Sequence, residues 1–231
     1  MVSENMGQAR FESYEPAGRL VPVLSGSRGA DAVSLALRLG RFAASRGETV
    51  LLLDGRSGEL MDKAGVVYAR TLSDAVRGDC ALRDCLYVTA NEHFSIAELG
   101  EMPLHDAVGT FASLSLDYDW VFAVPPCGLS QAVARLASAS DAAVIAYETE
   151  SDLFMRAYWI IDAIRARNPR FDPHTVSYGD RGEAVESAML LEGTVRDHLG
   201  AAPIYAGHES DRDRVESLLQ SMRERTARRA A

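Results

Sequence analysis

The stretch that most constrains this chain is Leu20–Phe42, LVPVLSGSRGADAVSLALRLGRF. A short apolar run leads into a loop of small residues. Apolar positions then recur at helical spacing. Strand, tight loop and helix in that order place free backbone N–H groups at a helix N-terminus, which is a cradle for phosphate. A cradle that holds a nucleotide follows G-x-x-x-x-G-K-S/T. Counting from Gly26, Asp31 stands where the second glycine belongs, Ala32 where the lysine belongs and Val33 where the magnesium-binding hydroxyl belongs. The frame of the cradle is kept and its chemistry is not.

The rest of the chain repeats the alternation. The first strand is expected at Leu20–Leu24, and the first helix from near Ala30 to Ser45, capped by Asp31 or Gly29 and stopped by Gly47. Thr49–Asp54 is an unbroken apolar run closed by an acid, the mark of a strand buried on both faces of a parallel sheet. Loop and short helix follow over Gly55–Val67, then a small helix from Thr71 to Arg77 capped by Thr71 or Ser73. Further strands are expected at Leu86–Thr89, Tyr118–Val124, Ala142–Tyr147, Thr175–Tyr178 and Ala202–Tyr205. Helices are expected at Pro103–Ser115, Leu129–Ala137, Ser151–Arg167 with Ser151 as its cap, Arg181–Leu199 and Asp211–Arg229. This pattern predicts an α/β fold: one doubly wound, mostly parallel sheet flanked by helices. It divides into an N-terminal arm over 1–18, the α/β domain over 19–210 and a basic C-terminal helix and tail over 211–231. Such sheets bind ligands beyond the carboxyl ends of their strands. The loops after Leu24, Asp54 and Val124 are therefore the candidate site.

Charge narrows the function. The net charge of −9 argues against a nucleic-acid partner, which calls for a basic footprint. Lys63 is the only lysine, and a phosphate cradle leans on lysine. The five histidines are scattered, with no pair at metal-ligand spacing, so no metal is expected. Cys80 and Cys85 are too far apart for a C-x-x-C clip, and Cys127 reads as a turn residue. Ser25 and Ser130 lack a G-x-S-x-G frame, which excludes a hydrolase triad. Sparse cysteine and the lack of a signal peptide or a long apolar span point to the cytoplasm.

These loops resemble the MinD/ParA group of deviant P-loop ATPases, and within it the FlhG-like branch that regulates flagellar number and position. The resemblance runs from about Leu20 to the C-terminus. The family's first loop reads S-G-K-G-G-V-G-K-T-T. Ser25, Gly26, Gly29 and Ser34 match it, while Ser27 and Ala32 replace its two lysines; Arg28 and Val33 also depart from it. The family's second loop reads D-x-D-x-x-x-x-N. Asp54 matches the first acid, which the resemblance assigns to positioning the attacking water, and Arg56 replaces the second. Thr71–Leu82 is similar to the L-x-x-V-L-x-G-E-C-x-L stretch of FlhG-like proteins. In the third loop Tyr118, Asp119 and Gly128–Ser130 match, while Val124 replaces the acid that organises magnesium. Asp141–Arg165 resembles the strand and helix beside the nucleotide base, and the family's base-reading asparagine appears as Tyr178 or is absent.

The resemblance implies a degenerate nucleotide site formed by Gly26, Ser27, Arg28, Gly29, Asp31, Ala32, Val33 and Ser34, with Asp54, Val124 and Gly128 from the other two loops. Each lost charged contact costs about 2–5 kcal/mol, so no cofactor is expected beyond weak ATP or ADP without tight magnesium. No residue is assigned to catalysis. The implied function is a non-catalytic regulatory or scaffold protein serving a membrane-associated machine: a flagellum, a pilus, or a cellulose or polysaccharide synthase. Its implied partners are proteins, either an active family member or a second copy. One alternative is a divergent ATPase that uses arginine in place of lysine. Another is an exopolysaccharide tyrosine-kinase relative, disfavoured because the chain ends in Arg228-Arg229-Ala230-Ala231 and not in a tyrosine cluster.

Two expectations concern local structure. The Gly26–Asp31 loop should be compact without a ligand, because a capping Asp can satisfy its N–H groups. In the last helix, Val215, Leu218, Leu219 and Met222 form one apolar stripe among arginines. That stripe either makes a peripheral membrane contact at the inner face of the membrane or packs on the sheet. Its shortness and lack of aromatics favour packing.

Overall fold

The computed structural model describes residues 18–89, 94–150 and 153–230. In chain order the elements are β1 (Arg19–Ser25), α1 (Ala32–Ser45), β2 (Val50–Asp54), α2 (Glu59–Lys63) and α3 (Leu72–Arg77). A 3-10 turn (Leu82–Cys85) precedes β3 (Tyr87–Val88), β4 (Ser95–Glu98), α4 (Leu104–Leu114), β5 (Trp120–Val124) and α5 (Gln131–Ala139). The chain closes with β6 (Val144–Glu148), α6 (Phe154–Arg165), β7 (His174–Tyr178), α7 (Arg181–Leu199), β8 (Ile204–His208) and α8 (Arg214–Ala230).

The strands form one eight-stranded sheet in the order β3-β4-β2-β5-β1-β6-β7-β8. Every pairing is parallel except that of β3 with β4. The centre is β1, whose Val21 is level with Phe122 of β5 and whose Val23 is level with Val144 of β6. Successive residues of β2 face opposite sides. Leu52 joins Val21, Leu35, Leu39 and Phe122 under α1, α2 and α8. Leu51 and Leu53 join Phe111, Leu114 and Leu136 under α4 and α5. Beside them α6 and α7 bury Ile160, Ile161, Ile164, Leu191 and Val195 against Ile145 and Tyr147. A central strand covered on both sides has to be apolar throughout, which is why VLLLD and WVFAV read as runs and not as alternations.

The doubly wound, mostly parallel sheet predicted from the sequence is present. Strand β4 is an addition. Its four residues, SIAE, are too short to show a period, and parallel pairing with β2 makes them a strand. The Thr71 cap of α3 is present as a reciprocal capping box with Asp74. Ser151, expected to cap α6, and the arm before Gly18 lie outside the described residues.

Of the two placements open to the apolar stripe of the last helix, packing on the sheet is the one present. Val215 is 7% exposed, and Leu218, Leu219 and Met222 are fully buried, packed with α1 and the sheet. Nothing apolar in that stripe is left for a lipid surface. Two of its arginines are also occupied: Arg223 pairs with Glu48 at 2.5 Å and Arg225 with Asp172 at 2.9 Å. Among the described residues no helix is long and apolar enough to cross a membrane.

Candidate functional site

The three loops expected to form the site do meet, beyond the carboxyl ends of β1, β2 and β5. The first loop leaves β1 at Ser25 and enters α1 through Asp31. The side chain of Asp31 caps that helix: Oδ1 accepts from the Ser34 N–H at 2.9 Å, and Oδ2 from the Ser34 hydroxyl at 2.7 Å. The same Oδ2 accepts from Lys63 Nζ at 2.6 Å, so the only lysine of the chain comes from the end of α2 to the mouth of the first loop. Lys63 also donates to Ser34 Oγ at 3.2 Å. Partial burial opposes the charge on Asp31, but the bonds from Lys63 and Ser34 outweigh it and hold the carboxyl below its usual range. Tyr178, from the end of β7, donates to the Asp31 carbonyl at 3.2 Å. Burial pushes that phenol up to about 12.

Neighbours crowd the two glycines of the loop. A Cβ on Gly26 would lie 2.7 Å from Cβ of Arg156, whose guanidinium donates to the Gly26 carbonyl at 3.3 Å. A Cβ on Gly29 would lie 1.6 Å from a carboxylate oxygen of Glu148. An acid therefore overlies the loop where a phosphate cradle requires open space. Ser27 is buried, and its hydroxyl has no hydrogen-bond partner among the described residues. Arg28 is exposed. Ala32 and Val33 are fully buried in the core beneath α1.

In the second loop Asp54 is fully buried and accepts three backbone hydrogen bonds. Oδ1 accepts from the Arg56 N–H at 2.7 Å, and Oδ2 from the N–H groups of Leu60 and Met61 at 2.8 and 3.1 Å. Burial raises its pKa despite these bonds. Arg56, expected only as a lost acid, is the tie between the loops. Its side chain is 8% exposed. It donates to Ser25 Oγ at 2.5 Å and to the Pro125 carbonyl at 3.1 Å, and lies 3.7 Å from Glu59. The third loop is fastened by backbone: Gly55 N–H donates to the Val124 carbonyl at 2.8 Å, and Gly128 N–H to the Ser25 carbonyl at 2.9 Å. Val124 itself is 1% exposed and part of the core.

The electrostatics of the mouth are mixed. Arg28 and Arg56 line one cleft of about 470 Å³ with Glu59, Pro126 and Cys127. On the other side, Gly29 borders a cleft of about 480 Å³ walled by Glu148, Glu150, Asp180, Glu183 and Glu209. Five carboxylates repel a polyphosphate approaching from that side. Among the described residues no group of three or more His, Cys, Asp or Glu side chains is placed to hold a metal ion.

That positions 33 and 124 are buried comes from the structure. Reading residue by residue found the loop and named Asp31, with Gly29, as a candidate cap of α1. It missed Arg56, Lys63, Glu148 and Arg156 as members of the site. Only the solitary status of Lys63 was a usable signal.

The Asp31 pairings set a pH dependence. Its folded pKa lies below the ordinary 3.8, so its contribution to stability is present above that value and is lost as pH falls through the folded pKa. Asp54 acts in the opposite sense, because its raised pKa removes stability as pH climbs from 3.8 through the folded value. Asp31→Asn is expected to flatten the acid limb of a plot of urea midpoint against pH while leaving the Asp54 contribution in place. An unchanged acid limb would show that the Lys63 pair is not formed in solution.

No protein-family profile and no curated protein sequence matches the chain. Solved structures do. The MinC:MinD cell division protein complex of Aquifex aeolicus contains a chain that is 18% identical, with a TM-score of 0.69, covering 92% of this chain and 95% of that one. The septum site-determining protein MinD of Pyrococcus horikoshii, complexed with Mg-ADP, is 19% identical with a TM-score of 0.67, covering 88% and 86%. A plasmid partition protein from Borrelia burgdorferi is 12% identical with a TM-score of 0.64, covering 90% and 99%. At these identities the likeness establishes the architecture: this is the MinD/ParA type of P-loop NTPase fold.

Proposed function

We propose that the chain is a non-catalytic pseudo-ATPase of the FlhG-like kind, a cytoplasmic regulatory or scaffold protein that positions or assembles a membrane-associated machine. The observation that carries this reading is the Asp31–Lys63 pair at 2.6 Å. A carboxylate occupies the helix N-terminus that a phosphate would need, and the one available lysine neutralises it. Val33 and Val124 supply buried hydrocarbon where magnesium needs a hydroxyl and a carboxylate. Arg56, bridging Ser25 and Pro125, holds the three loops as a nucleotide would. A fold of this type locked in one state keeps its protein-binding faces and has no timer. The MinD-type chain of Aquifex aeolicus occurs in a complex with MinC. By analogy, the partners proposed here are proteins, either an active relative or a second copy.

An arginine-using ATPase is the second reading, favoured by the shared cleft of Arg28 and Arg56. Titration calorimetry with Mg·ATP separates the two. Losing two phosphate lysines at about 2–5 kcal/mol each weakens a micromolar site at least to about the millimolar range, since 1.4 kcal/mol is about tenfold. No saturable heat is expected at submillimolar nucleotide. A micromolar dissociation constant would overturn the pseudo-ATPase reading.

A further inference from the structure

Away from the nucleotide loops, the corner formed by α3 and the 3-10 turn brings two thiols together. Cys80 Sγ lies 3.3 Å from Cys85 Sγ. Cys85 is fully buried, packed with Leu72 and Leu99, while Cys80 is half-buried and reaches solvent. Cys127 sits elsewhere, beside Ser25 in the third loop. A disulfide needs its sulfurs about 2.05 Å apart, so this pair has little more than an ångström to close. Four residues separate the cysteines, and Ala81 to Asp84 are exposed.

We propose that Cys80 and Cys85 are a dithiol modification site, oxidised reversibly by low-molecular-weight disulfides to an intramolecular bridge that stiffens the α3 corner. The half-buried thiol, which reaches solvent, starts the reaction. Cys80, as thiolate, attacks one sulfur of the small disulfide; a mixed disulfide forms and the other half leaves as a thiolate. Cys85 then gives up its proton, and its sulfur attacks Cys80 Sγ, expelling the second half as a thiolate. The protein loses two electrons and two protons, and the small disulfide becomes two thiols. Burial first, then the neighbouring Cys80, pushes the Cys85 thiol up to about 12, which makes it the resolving and not the attacking group.

The fold accommodates both states. Reduced Cys85 donates to the Thr71 carbonyl at 2.9 Å. When that donor is lost, the carbonyl keeps the N–H groups of Asp74 and Ala75, at 3.0 and 3.3 Å. The corner connects to the site through backbone: Ser73 N–H donates to the Leu99 carbonyl, and Leu99 N–H to the Asp54 carbonyl, at 3.1 and 2.8 Å. It also displays exposed Val76 and Leu82, at 60% and 42%, so a bridge would fix the spacing of an apolar surface.

The test is incubation of the full chain with oxidised glutathione, alkylation of the remaining thiols, and mass spectrometry with peptide mapping. Wild type is expected to yield a linked Cys80–Cys85 peptide two hydrogens lighter than its reduced form, while exposed Cys127, which has no neighbouring thiol, is either alkylated or carries a glutathione; dithiothreitol should reverse the oxidation. Hydrogen exchange across Leu72–Leu86 should slow severalfold in the oxidised form. Cys85→Ser should stop at a glutathione adduct on Cys80, and Cys80→Ser should leave Cys85 unmodified. The proposal is overturned if wild type also stops at the adduct, if the bridge forms only in denaturant, or if oxidation links two chains. The wild-type masses decide even where a variant fails to fold.

Discussion

Asp54→Ala is expected to lower the unfolding free energy by about 3–5 kcal/mol. The carboxylate is fully buried and accepts from three backbone N–H groups, those of Arg56, Leu60 and Met61. Alanine leaves all three donors without a partner. Each buried unmet donor costs about 1–3 kcal/mol, and water entering the space recovers part of the sum. Asp54→Asn should fall between wild type and alanine, because its amide keeps one acceptor but turns an NH2 towards protein donors. Urea denaturation followed by tryptophan fluorescence measures this directly, since Trp120 is fully buried in the same sheet. A loss under about 1 kcal/mol would show that the loop stands without its carboxylate. The prediction also bears on chemistry. A carboxylate that positions water has to reach it, and Asp54 is fully buried with both oxygens already accepting backbone N–H groups.

Leu219→Ala comes next in size, with an expected loss of about 2–5 kcal/mol for a fully buried leucine left as a cavity. Leu219 lies with Leu218, Met222 and Val215 against the face that holds Leu35 and Leu39. Met189→Ala, 67% exposed on α7, is the control and should stay within about 0.5 kcal/mol. A small effect at Leu219 would mean that α8 detaches readily, which would return its apolar stripe to an outside partner. Removal of the chain after Ser210 is expected to prevent folding, because it uncovers the sheet.

Much of the architecture was legible because burial on two faces demands unbroken apolar strands, and VLLLD and WVFAV carry that demand openly. The Asp31 cap was legible because an N-cap is a local interaction spanning three residues. Strand β4 was not, since its conformation comes from pairing with β2 and not from its own pattern. The same reason hid the inner ties of the site. Lys63 reaches Asp31 across 32 residues, and Arg56 reaches Pro125 across 69. No spacing rule connects such positions before the strands bring their ends together. For α8 the periodicity announced a stripe correctly, yet an amphipathic helix looks the same whether its partner is lipid or its own sheet.

Amine chemistry has a single side-chain target in this molecule. Lys63 is 38% exposed at its side chain, and its ammonium group sits at the mouth of the first loop. Any acyl group, fluorophore or conjugated polypeptide directed to lysine has this one side-chain address, and attaching it cancels the cation that balances Asp31. A label introduced to follow the protein would therefore alter the state it was meant to report, whereas one placed on exposed Cys127 would leave that balance untouched.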